Sequence, residues 1–122
     1  MKGQKNLEEK LARPLQTLVI YDKDIRSALD GSKKIIIEKD WIDYQLNLAV
    51  LCNLTEYQCA CINITNIRHC LAEEITEQEY KDRGFNDYQD MIRGMKGYYA
   101  NFNDKTKVTI VRYDNIKFDG IM

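Results

Sequence analysis

Lys33 and Lys34 follow a Gly-Ser pair, lead into Ile35, Ile36 and Ile37, and are trailed by Glu38, Trp41 and Tyr44. An ammonium group can hold a phosphate, and a buried lysine with a depressed pKa can act as a nucleophile or base. Indole and phenol rings can stack a nucleobase. Each residue also has a plainer reading. Lysines just past a helix end form a solvated turn that the helix dipole favours. Aromatic rings more often pack a core than a ligand.

Other residues carry the same two readings. Arg68, Arg93, Lys105, Lys107 and Arg112 would join Lys33 as a local positive rim in the sharper reading, and are ordinary solvated surface in the plainer one. The four cysteines, Cys52, Cys59, Cys61 and Cys70, sit near the lone histidine, His69. They contain no Cys-x-x-Cys pair, and Cys59 and Cys61 share one face of a strand, so buried free thiols are expected rather than a metal site. His69 has no visible nucleophile or acid beside it, and no catalytic role follows. No cofactor is expected.

Composition bounds the partner. The chain has 122 residues, a formal net charge of -1 and 44% apolar residues, which suits one domain with a modest core. A protein that coats nucleic acid without selectivity is normally basic, so contact with RNA here would need a local patch. No apolar run reaches the roughly 18 residues of a membrane span, and no membrane partner is expected. The start, MKGQKNLEEKLARP, has no apolar signal core, which points to a cytoplasmic protein with reduced cysteines.

These residues need elements to position them. Residues 1–14 read as a flexible arm, 15–116 as the domain and 117–122 as a tail. Leu15 to Tyr21 is a predicted strand, and Asp22 caps a predicted helix from Lys23 to Leu29 that Gly31 stops. Strands follow over Lys34 to Glu38, Leu46 to Cys52, Tyr57 to Ile67 and Thr106 to Tyr113. Thr76 and Glu79 have capping-box spacing, ahead of a helical turn that Gly84 can end. Tyr88, Met91, Ile92, Met95, Tyr98, Tyr99 and Phe102 predict one long helix with an apolar stripe. Strands grouped apart from helices predict an α+β domain, a small β-barrel of five to six mostly antiparallel strands with helices at one side.

Several motifs in order resemble the ASCH domain family of the PUA-like superfamily. They are Gly31-Ser32-Lys33-Lys34 entering a strand, Asp43-Tyr44, Ile64-Thr65-Asn66-Ile67-Arg68, Ile75-Thr76-Glu77-Gln78-Glu79, Gly84-Phe85, Tyr98-Tyr99 and Val108-Thr109-Ile110-Val111. The resemblance implies a PUA-like barrel with a cleft beside Gly31 to Lys34 that takes RNA or a modified nucleoside. It also implies the chemistry of small amidohydrolases that deacylate a modified cytidine, or of ribonucleases. The amidohydrolases use a Lys, a Thr and a Glu, with a supporting Arg. Lys33 stands at the Lys position, but Ile36 replaces the Thr, Glu38 the Arg and Arg83 the Glu. An isoleucine carries no hydroxyl, and a guanidinium does not deprotonate in a protein.

The expectation is a non-enzymatic binding module for RNA or a nucleotide-like ligand, with Lys33, Lys34, Trp41, Tyr44, Arg68 and Arg83 as contacts. The alternatives are an enzyme that works through Lys33 and Glu38, and a module for a protein partner on the same fold.

Overall fold

The computed structural model describes residues 16–20, 27, 30–53 and 59–115. The N-terminal arm, nearly all of the helix expected from Lys23 to Leu29, and the tail from 117 lie outside them. The described strands are β1 (Gln16–Ile20), β2 (Ile35–Lys39), β3 (Leu48–Asn53), β4 (Cys59–Leu71) and β5 (Lys107–Asn115). They form one five-stranded sheet in the order β1-β3-β4-β5-β2. β1 runs parallel to β3, and the other three ladders are antiparallel.

Side chains alternate across this sheet, and both faces are covered. Leu18, Leu51, Ile62, Ile64, Val111 and Ile36 meet on one face. Ile35, Ile37, Val108, Ile110 and Cys70 meet on the other, beneath the helices. That explains three isoleucines in a row, because a strand buried on both sides has no solvent face to keep polar. Each side chain of this size buried in full contributes roughly 1.5–3 kcal/mol.

Strand β4 carries a bulge between Ile64 and Asn66. Before it, Ile64 pairs with Tyr113; after it, Ile67 pairs with Val111 and His69 with Thr109. The extra residue shifts the alternation by one. Ile62 and Ile64 share a face with Ile67, not with Asn66 and Arg68.

Helix α1 spans Glu77–Arg83 and α2 spans Tyr88–Lys96. Thr76 and Glu79 close the predicted capping box, each side chain accepting the other's backbone N–H, at 3.2 Å and 2.8 Å. Gly84 ends α1 in the left-handed region at φ 112°, where a Cβ is costly. α2 starts at Asp87, whose carboxylate accepts from Asp90 N at 2.8 Å. It stops at Lys96 rather than reaching Phe102, because Gly97 bonds back to Gly94 and a turn carries Tyr98 to Phe102. Gly94 faces the Phe85 ring, and a Cβ there would stand 3.0 Å from Cζ and closer still to Cε1. Gly94→Ala should therefore cost about 1–3 kcal/mol through overpacking, read as a lower midpoint in urea.

Two expectations need correction. The sheet is not a closed barrel. Among the described residues β1 and β2 end the strand order, and no ladder joins them. Both strands still contribute to one core, since Leu18, Ile20 and Ile36 belong to the same cluster. The sheet curls without sealing and leaves a seam. The cysteines are not all free thiols either: Cys61 and Cys70 are free, whereas Cys52 is disulfide-bonded. Backbone register sets Cys52 opposite Cys59, a closeness of strands that linear spacing does not reveal.

Candidate functional site

The seam holds a cleft that opens to solvent. Val19 and Ile20 of β1 line one side and Ile35 to Glu38 of β2 the other. Lys33, Arg83, Tyr98, Tyr99 and Tyr113 complete it.

The turn before β2 aims Lys33. Gly31 takes φ 79°, Asp30 accepts from Ser32 N at 2.8 Å, and Ser27 O accepts from Lys33 N at 3.1 Å. The Tyr113 hydroxyl donates to Lys33 O at 3.0 Å. The Lys33 ammonium then lies over Gly84, 3.1 Å from where a Cβ would stand. One glycine thus ends α1 and clears space for the cation. Arg83, the residue before it, sets its guanidinium 5.6 Å from the Phe85 ring centre.

Glu38 brings the only described carboxylate among the cleft-lining residues. Its Oε2 accepts from the Tyr44 hydroxyl at 2.7 Å. Its Oε1 is buried, and no described group donates to it. Burial pushes the Glu38 carboxyl above its usual 4.5, against the opposing pull of the Tyr44 bond. Burial likewise raises the Tyr44 phenol well beyond its usual range, helped by Glu38. Tyr113 is pushed up to about 12 by burial, partly offset by nearby Arg83. Carboxyl and phenols are therefore hydrogen-bonding groups, and Glu38 is the one among them whose proton affinity moves toward neutrality.

Tyr44 reaches Glu38 because the loop after β2 is tied down. The buried Thr109 hydroxyl accepts from Ile42 N at 2.8 Å and donates to Asp40 O at 2.6 Å. Asp40 turns the chain there at φ 76°.

The other sequence candidates fall elsewhere. Lys34 is exposed and pairs with Asp114 at 3.6 Å. Trp41 is 52% exposed outside the cleft. Its indole N–H donates to Cys70 O at 3.0 Å, and the Lys107 ammonium sits 4.8 Å over its ring. His69 donates from Nε2 to Ile42 O at 2.8 Å, beside that ring. Arg68 lies on the helix face, where Nε and Nη2 clamp both Glu79 oxygens at 2.9 and 2.7 Å. The positive rim does not assemble. Arg93 pairs with Asp90, Lys105 with Glu73 and Arg112 with Asp82. Glu79 and Asp82, which share α1 with Arg83, are thus engaged by Arg68 and Arg112. Tyr98 and Tyr99 read as core in the sequence, yet with Tyr113 they line the cleft. The signal for the first two was the glycine at 97, which ends the helix before them.

The sequence matches no protein-family model and no curated protein. Solved structures do match the fold. An ASCH domain from Lactobacillus crispatus JV V101 is similar at TM-score 0.63 and 12% identity, over 82% of this chain and 79% of that one. A protein from Enterococcus faecalis V583 is similar at TM-score 0.65 and 12% identity, over 93% and 84%. A mutant ASCH protein from Zymomonas mobilis is similar at TM-score 0.58 and 10% identity, over 84% and 73%. This chain has an ASCH-domain fold. At these identities the ASCH likeness concerns the backbone alone, and the chemistry must come from this chain's own side chains. No described helix is long and apolar enough to cross a membrane.

Proposed function

We propose that this protein is a binding module for a nucleotide-like ligand or for RNA, taken into the cleft at the seam of the sheet. The observation that carries this reading is the set of groups around the cleft. Lys33 and Arg83 are cations that can hold a phosphate, tyrosines offer faces for a base, and Glu38 can accept a hydrogen bond from one. Two local cations let a chain of net charge -1 bind an anion without a basic surface.

Titration of a fluorescent single-stranded RNA and of nucleoside monophosphates at low salt tests this. Binding should weaken with added salt. Lys33→Ala and Arg83→Ala should each weaken it about tenfold, the worth of one charge-assisted contact. No binding of either ligand class would overturn the proposal.

A second reading is hydrolysis of an acyl-nucleoside. What favours it is a carboxyl of raised proton affinity, Glu38, in the same cleft as Lys33, an acid–base group beside a possible nucleophile. Incubating the same proteins with an acyl-cytidine decides it. Turnover lost in both Lys33→Ala and Glu38→Ala supports catalysis, and equal background rates in all three sink it.

A further inference from the structure

We infer that Glu38 selects the ligand, and that the cleft prefers heterocycles bearing an exocyclic amino group over those with a carbonyl at the same ring position. This rests on the reading of the cleft as a nucleotide site.

The argument starts from one oxygen. Buried acceptors are nearly always satisfied, and one left without a donor costs about what a lost hydrogen bond does. Glu38 Oε1 has no described donor, although Oε2 is taken by Tyr44. The Tyr44 bond also fixes the carboxyl's orientation, so Oε1 cannot rotate away to find a partner. The positive groups of the cleft do not fill the role. Lys33 places its ammonium over Gly84 instead, and Arg83 lies by Phe85. A ligand that brings an N–H to Oε1 removes a defect already present in the free protein. A ligand that brings a carbonyl oxygen adds a second lone pair against the first.

Cytosine and adenine carry an amino group where uracil and hypoxanthine carry a carbonyl. Oε1 itself is shielded, so a ligand reaches it only as side chains around the cleft adjust, and such adjustments are common on binding. A site built to make a particular hydrogen bond discriminates strongly against the analogue that cannot make it.

Glu38→Gln supplies the sharp form of the test. Tyr44 still donates to the side-chain oxygen, so the amide NH₂ takes the place of Oε1. The site then offers a donor and should prefer a carbonyl. Calorimetric titration of the full chain with the pairs CMP/UMP and AMP/IMP reads both proteins, with thermal melts confirming that the variant is folded. In the wild type, CMP and AMP should bind about tenfold or more tightly than UMP and IMP. In Glu38→Gln the preference should vanish or reverse. Equal binding within each wild-type pair, or a wild-type preference that Glu38→Gln leaves intact, overturns the inference and leaves the nucleotide reading standing. No binding of any of the four overturns the nucleotide reading itself.

Discussion

Glu38→Gln should make the protein more stable. The wild-type carboxyl is mostly buried, its proton affinity is raised by that burial, and Oε1 has no described donor. The carboxamide keeps an acceptor for the Tyr44 hydroxyl and removes the charge. The amide NH₂ that replaces Oε1 lacks a partner too, so the gain is that of removing a buried charge, about 1 kcal/mol, or about 4 °C in Tm for a domain of this size. The pH dependence has a definite sign. A carboxyl whose folded pKa lies above 4.5 binds its proton more tightly in the folded state, so its ionisation destabilises the fold. The advantage of Glu38→Gln is therefore full above the folded pKa, shrinks as pH falls through it, and is gone below about 4.5. Paired melts from pH 7.5 to pH 4 measure the difference and cancel every other titrating group. A variant less stable than wild type at pH 7.5 would contradict the account. Together with altered ligand choice, the result would mark Glu38 as a residue kept at the expense of stability, a common trade at functional sites.

The second large effect lies on the opposite face of the sheet. Glu79 is 7% exposed. Burial alone would raise its carboxyl, but the Arg68 bonds and the Thr76 backbone N–H outweigh that and hold it below 4.5. Arg68 also donates to Glu74 O at 2.9 Å, tying α1 and the turn before it to β4. Arg68→Ala leaves a buried carboxylate with little compensation. A fully buried pair broken this way costs about 3–5 kcal/mol. The Arg68 side chain is 37% exposed, so about 2–3 kcal/mol is expected, a fall in Tm of roughly 10 °C. Glu79→Ala should cost a similar amount, because it also opens the capping box. The double variant should cost clearly less than the sum, since both remove one network. The Glu79 contribution is present above 4.5 and lost as pH falls through its lowered pKa. Nucleotide affinity should not change in Arg68→Ala. Weakened binding with an unchanged Tm would return Arg68 to the ligand site.

Arg68 also shows where sequence reading stops. Ile62 and Ile64 alternate cleanly, and extending that period puts Arg68 on their face. The bulge after Ile64 reverses the parity, and nothing in the local residue types marks it. By contrast, the capping box at Thr76 and Glu79, the glycine stop at 84 and the doubly buried Ile35 to Ile37 were legible, because each rests on local chemistry. Lys33 and Arg83 were legible as cleft residues only through the resemblance to ASCH domains. Trp41 was a reasonable stacking candidate from its neighbours in sequence, yet the loop tied to Thr109 carries it past the end of the cleft. Glu38 stood in the sequence as a charge of the wrong sign at a family position. Its lone oxygen needs three-dimensional burial to be noticed. Open closure was not legible either, because it depends on how far four ladders twist together.

That open seam has a consequence for how the site is tuned. The cleft's facing walls are the first and last members of the order β1-β3-β4-β5-β2, with no direct ladder between them among the described residues. Its width is therefore an accumulated quantity, the sum of small strand-to-strand rotations around the whole curl. A slight change in twist anywhere, such as at the bulge in β4, is carried to the mouth without any nearby residue being altered. The width of the cleft is in that sense a property of the entire sheet, much as the gap in a split ring is set by the bend of the metal opposite it.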